Sequence, residues 1–286
     1  MVVDFAVDKG EGLRSIANKL EEAKLIRSRI AFFLLTRMGP GKNIQAGYFR
    51  LSPSMNAATI AEHLTQGSSD VWVTTVEGWR NEEIALKLVQ ELENIPENEF
   101  LKVAKEGFMF PDTYLLPKDA SASAVARIFL KNFDTKVTPD IRRTIEAKGL
   151  TLEEAITIAS LVEREARFDA DRPLVASVVL NRLRIGMKLD IDATVQFAIG
   201  YFAPEKTWWK KNLTIEDIAI DSPYNTYKNN GLPPTPIANP GLAVIKAVAE
   251  APKTDYLYYI SDSTGAMHFA KTIEEHDANI KKYLNR

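Results

Sequence analysis

Apolar residues in the first third of the chain recur in one repeated unit. Three Ile-Ala-x-x-Leu clusters each set their apolar side chains on one helical face: Ile16, Ala17 and Leu20; Ile60, Ala61 and Leu64; Ile84, Ala85 and Leu88. Each cluster follows a strand-like run (5–7, 47–51 and 71–76) and a turn (9–12, 52–54 and 77–79). The region therefore reads as repeated strand–turn–helix units. From about 91 to 148 the pattern is helical, with a break at Phe110-Pro111-Asp112. Pro111 has no N–H to continue a helix and biases Phe110 toward extended backbone. Thr151 and Glu154 have capping-box spacing and open a helix reaching about Ala166. The pattern next predicts a helix over 171–183, a strand over 188–191, and a helix over 193–199 with Asp192 as its N-cap. Residues 222–241 have loop composition, and a loop of this length in a compact domain is usually functional. A helix over 242–250, a hairpin of 256–260 with 267–270, and a last helix complete an α+β pattern.

Composition narrows the function. The chain has 286 residues, 45% hydrophobic and 26% charged, which suits one large domain or two moderate ones. Its net charge of −2, with no basic block, argues against nucleic-acid binding, which depends on neutralising phosphates. With no cysteine, disulfides and thiolate metal sites are excluded. The three histidines, His63, His268 and His276, lack zinc-site spacing, so no metal is expected. The longest apolar run, 30–35, is far short of the roughly 20 residues of a membrane helix. Because the chain starts directly in a strand-like pattern, a missing natural N-terminal segment is expected.

No Gly-x-Ser-x-Gly elbow, Walker loop or dinucleotide-binding glycine motif is present. Carboxylates are the remaining candidates. Glu163 follows Val162 on a helix whose apolar stripe runs through Ala155, Ile158, Ala159 and Val162. At that border a carboxyl is partly desolvated and its pKa rises, as a general acid requires. The alternative is a surface pair with Arg167 at i+4. Glu165, about 200° round the helix, reads as solvated or structural. Asp190 and Asp192 share one face if the strand at 188–191 continues through them. In the long loop, Tyr224 and Tyr227 flank Asn225 and Thr226, a flat apolar and amide surface suited to an N-acetylated sugar. Pro233, Pro234, Pro236 and Pro240 stiffen it.

At these residues the chain resembles the endolytic murein transglycosylases of the YceG-like type. The resemblance rests on Val76-Glu-Gly-Trp79, Glu106-Gly-Phe-Met-Phe-Pro-Asp-Thr-Tyr114, Ala159-Ser-Leu-Val-Glu-Arg-Glu165, Asn181-Arg-Leu-Arg-Ile-Gly-Met187, Asp192-Ala-Thr-Val195, Ser222-Pro-Tyr-Asn-Thr-Tyr227 and Gly231-Leu-Pro-Pro234. Two departures are visible: Asp192-Ala-Thr for Asp-Pro-Thr, and Pro234-Thr-Pro for Pro-Gly-Pro. The resemblance implies a small LysM-like strand–helix region over 1–70 and a mixed α+β catalytic domain over 71–286. It implies cleavage of peptidoglycan between N-acetylmuramic acid and N-acetylglucosamine to give 1,6-anhydro ends, without a cofactor. The first Glu of the family's Ser-Ile-Val-Glu-Lys-Glu-like motif is its catalytic residue and falls on Glu163. Asn181, Asp192, Tyr224, Asn225, Thr226 and Tyr227 are the candidate substrate-binding residues. The expected partners are glycan strands and peptidoglycan synthases (penicillin-binding proteins). The expected location is the outer side of the cytoplasmic membrane, held by an N-terminal helix. Three rival readings are a hydrolytic muramidase using Asp190 or Asp192 as second carboxylate, a non-catalytic wall-binding module, and a pyridoxal-phosphate lyase. The last lacks a phosphate-cradling loop or an obvious Schiff-base lysine in this sequence.

Overall fold

The computed structural model describes residues 3–8, 10–39, 43–65, 70–93 and 95–284. Lys9, in the first predicted turn, lies outside them. The described residues form an α+β chain with three two-stranded antiparallel sheets. Internal contacts divide it into two units. One comprises Met1–Thr74, Leu86–Phe100 and Asp112–Val125; the other comprises Thr75–Ala85, Leu101–Pro111 and Ala126–Arg286. The first unit thus takes in more than the expected 1–70.

The first unit begins with β1 (Val3–Val7), α1 (Leu13–Glu22), α2 (Arg29–Met38), β2 (Gly47–Leu51), α3 (Ala57–Thr65) and β3 (Asp70–Thr74). Strands β1 and β2 pair antiparallel, with Phe5 opposite Phe49. The repeated clusters behave as their spacing predicts. Ile16, Ala17, Leu20, Ile60, Ala61 and Leu64 are all buried in one core with Phe5, Phe32, Phe49 and Leu51. The third cluster, Ile84, Ala85 and Leu88, is buried on α4 (Asn81–Glu91). Helix α2 had no counterpart in the sequence pattern. It is capped by the Ser28 hydroxyl and buries Phe32, while Ile30, Leu34 and Met38 stay exposed.

The stretch 91–148 is not continuously helical. After α5 (Glu97–Val103) comes β4 (Thr113–Pro117), then α6 (Ala122–Lys136) and α7 (Pro139–Ala147). Strand β4 pairs with β3, Val73 opposite Tyr114. Its hydrogen-bond partners lie some forty residues away, beyond any local pattern.

The second unit is built around α8 (Leu152–Glu165), opened by the predicted Thr151–Glu154 capping box. Every residue from Ala155 to Val162 is buried, because α8 is packed by α7, α9 (Arg172–Arg184), α10 (Asp192–Ile199) and α12 (Leu242–Ala249). A short α11 (Ile215–Ile218) precedes the long loop. The hairpin of β5 (Tyr258–Ser261) and β6 (Met267–Ala270) packs under the last helix, α13 (Ile273–Tyr283). The predicted strand at 188–191 does not form. Asp190 has a left-handed φ of 48°, which interrupts extended backbone.

Candidate active site

The long loop decides what Glu163 does. Its second half is buried: Ile237, Ala238 and Asn239 have no exposed surface. A buried loop needs partners for its backbone polar groups. Ser160 accepts from the N–H of Ile237 (3.0 Å) and Glu163 Oε2 from the N–H of Gly241 (2.8 Å). The Asn239 side chain donates to the Trp79 carbonyl, Asn81 Oδ1 and Glu106 Oε1, and accepts from Met109 N–H. The segments around Trp79, Glu106 and Glu163, far apart in sequence, therefore converge on this loop. Burial pushes the Glu106 carboxyl up to about 8, against the pull of the Asn81 N–H. A Cβ at 241 would overlap the carboxylate of the exposed Glu77, which would have to move aside.

The other Glu163 oxygen accepts from Arg172 Nη2 at 3.0 Å, and the Glu163 side chain is 5% exposed. Burial raises its pKa, while the Gly241 N–H and Arg172 lower it. Arg167, its expected i+4 partner, donates instead to the Thr264 carbonyl. Both oxygens of Glu163 are thus committed inside the protein.

Glu165, two residues on, lines a cavity of about 510 Å³, within the usual size range of small-ligand sites. Arg182, Asp190, Asp192, Tyr227, Tyr258, Tyr259 and His276 line the same cavity. The expectation that Glu165 is solvated is corrected by this placement: its carboxyl is buried on the cavity wall. Its Oε2 accepts from the Tyr259 hydroxyl at 3.0 Å. Burial is the main cause that lifts its pKa, to about 7. Tyr259 pulls it down, Asp192 pushes it up, and Arg164 and Arg182 oppose the rise. Glu165 is also the last residue of α8, at the negative end of the helix dipole, where an ionised carboxylate is disfavoured. Burial and the Glu165 charge keep the Tyr259 hydroxyl protonated and so available as a donor.

The predicted sugar-binding residues divide. Asp192 and Tyr227 line the cavity, and the Tyr227 hydroxyl donates to Asp192 Oδ1 at 2.6 Å. Asp192 is therefore not the N-cap of α10. It is the first helical residue, the cap position is Ile191 without a side-chain hydrogen bond, and Tyr227 takes the carboxylate. Asn181 is buried, and its amide donates to the Thr254 and Tyr256 carbonyls. Asn225 has no exposed surface and donates to the Ile218 and Ile220 carbonyls. Thr226 is buried against Thr194 and accepts from Ile191 N–H. Tyr224 packs its ring on Phe197 and shares a hydrogen bond with Thr235. Tyr224, Asn225 and Thr226 hold the long loop in place, and Asn181 holds the segment around Thr254 and Tyr256.

A model of the YceG-like family matches residues 5–282. The chain belongs to the YceG-like family. An endolytic murein transglycosylase of Bacillus subtilis is 31% identical over 314 residues, covering 99% of this chain and 85% of that protein. One of Streptococcus pneumoniae is 29% identical, and the match covers 99% of this chain but 58% of the pneumococcal protein. A crystal structure of a YceG-like protein from Listeria monocytogenes superposes with a TM-score of 0.66 at 28% identity, covering 97% of this chain and 99% of that one.

The raised pKa makes stability depend on pH. Between about 4.5 and 7 the folded protein keeps a proton on Glu165 that the unfolded chain has released. Stability from this group is therefore full at low pH and lost as pH rises to 7. Glu165→Gln is expected to leave stability nearly unchanged at pH 4.5 and to raise it by on the order of 3 kcal/mol at pH 8. Thermal denaturation at both pH values measures this; equal effects at both would mean that Glu165 titrates normally.

Proposed function

We propose that this protein is an endolytic murein transglycosylase, cutting the β-1,4 bond between N-acetylmuramic acid and N-acetylglucosamine, with Glu165 as its acid and base. The observation that carries the assignment is Glu165 itself, a carboxylic acid with a pKa of about 7 on the wall of a cavity lined by Tyr227, Tyr258 and Tyr259. Such an acid is half-protonated near neutrality and serves both proton transfers. The names of the Bacillus and pneumococcal relatives support the reaction. Neutral Glu165 gives its proton to the glycosidic oxygen as the bond to C1 of the muramic sugar breaks. The resulting carboxylate takes the proton of the muramic 6-hydroxyl as that oxygen bonds to C1. The products are a free 4-hydroxyl and a 1,6-anhydro end, with Glu165 protonated again. Tyr259 stabilises the carboxylate between the two transfers, and the tyrosine rings offer faces for sugars.

A hydrolytic reading draws support from one fact: Asp190 and Asp192 line the same cavity as Glu165. A second carboxylate is what a muramidase needs to activate water or form a glycosyl-enzyme. Mass spectrometry of digested glycan strands, before and after borohydride, decides between the two. Anhydro ends resist reduction and support the lytic reaction; reducible ends overturn it in favour of hydrolysis; no cleavage favours a wall-binding module.

We infer that the first unit holds glycan as a LysM-like region. Its strand–helix–helix–strand order, with β1 and β2 antiparallel, supports this. The substrate puts the protein on the outer side of the membrane, where synthases are the natural partners.

A further inference from the structure

Helix α9 has a cavity on each of two sides. Arg182 lines the one that holds Glu165. Leu180 and Arg184 line another, of about 800 Å³, completed by Lys148, Leu150, Leu232 and Lys253. This second cavity has a marked chemical bias. Lys148, Arg184 and Lys253 supply three cations among its lining residues, against one carboxylate, Glu154. That carboxylate is already engaged by the N–H and hydroxyl of Thr151 in the α8 capping box. Leu150, Leu180 and Leu232 are half-buried and give the cavity apolar ground between the cations. Lys148 is steadied by the Ala251 carbonyl and Arg184 by Asn181 Oδ1, so two of the cations are held in position. An uncharged sugar has nothing to match this charge. The matching ligand is a short chain with carboxylates separated by small apolar groups.

On a peptidoglycan strand, that chemistry belongs to the peptide branch. The lactyl carboxyl of muramic acid is taken up in the amide to the peptide, and the free carboxylates lie along the peptide between alanyl methyls. We propose that the cavity lined by Lys148, Arg184 and Lys253 binds the carboxylate-bearing stem peptide of the strand whose glycan occupies the Glu165 cavity. This rests on the glycan-strand reading above. The reach is adequate. Arg184, the last residue of α9, lines one cavity, and Met187, three residues further on, lines the other. A helix is about 10–12 Å across with its side chains, and a stem of four or five residues spans roughly 13–18 Å when extended. The peptide would thus favour strands that still carry their stems over strands that have been stripped.

Kinetics on two substrates test this: glycan strands with intact stems, and the same strands stripped by an amidase. For the unaltered protein, KM is expected to be about tenfold lower on stem-bearing strands. Arg184→Glu with Lys253→Glu is expected to raise KM about tenfold on stem-bearing strands, with kcat kept and stripped strands unaffected. Lys253→Glu alone, at an exposed position, should show part of the same effect. Equal kinetics on both substrates, or a loss on both by the double variant, overturns the proposal. A separate titration uses free stem tetrapeptide, which is not cleaved, followed by NMR shifts at Leu180 and Leu232. Binding by the unaltered protein and not by the double variant supports the subsite even if no glycan is cut. Binding of an unrelated acidic peptide equally well overturns it in favour of a protein partner, and no binding overturns it outright.

Discussion

Glu165→Gln is expected to lower strand cleavage by about 10²–10⁴-fold, the usual contribution of a positioned general acid. The amide keeps an oxygen that accepts from Tyr259, so the fold and cavity should persist, as circular dichroism and thermal melting would check. The unaltered protein should lose activity tenfold per pH unit above about 7, because the first step needs the protonated acid. A Gln variant active to within a few-fold would remove Glu165 from the chemistry.

Glu163→Ala should act on stability instead. It removes the counter-charge of the Arg172 guanidinium, whose side chain is 11% exposed, and leaves the buried Gly241 N–H without its acceptor. Removing one member of a buried ion pair costs about 3–5 kcal/mol. Arg172 keeps Asp169 at 2.6 Å, an exposed partner that softens the loss. In a chain of this size, a fall in melting temperature on the order of 10 °C follows. Glu163→Gln, which still accepts from Gly241, should cost less. Measured well below the melting temperature, cleavage by either variant should stay within a few-fold of the unaltered protein. The reverse pattern, with activity lost and stability kept, would return the acid role to Glu163.

These two outcomes separate neighbours to which helix phase gives opposite roles. Helix phase places Glu163 at the border of an apolar stripe and turns Glu165 away from it. That reasoning assumes a helix with one buried face. Helix α8 is enclosed by four others and is buried all round from Ala155 to Val162. Its apparent polar side therefore faces protein too, and there Glu165 meets a cavity. One local signal did favour Glu165: an acidic residue closing a helix opposes the dipole, so it needs another reason to be there. Asp190 and Asp192 line the Glu165 cavity, so a second carboxylate is within the site. It is product chemistry that decides between lytic and hydrolytic cleavage.

Asn181, Asn225 and Thr226 illustrate the same limit. Their amides and hydroxyl suit a sugar, and they sit in the segments that carry the family resemblance. In the fold, they bond to backbone groups of other segments: the Thr254, Tyr256, Ile218 and Ile220 carbonyls and the Ile191 N–H. A residue type cannot reveal whether its partner is a ligand or a carbonyl distant in sequence.

The sequence by itself determined the elements with local causes: the Ile-Ala-x-x-Leu helices, the Thr151 capping box, the β5–β6 hairpin and the α+β class. Each depends on periodicity or on groups a few residues apart. Only the tertiary structure decided that β4 is a strand, that the long loop is buried, and that Glu163 anchors it while Glu165 faces a cavity. Each of these depends on partners many residues away, and burial, which moves a carboxyl from about 4.5 to about 7, exists only once those partners have met.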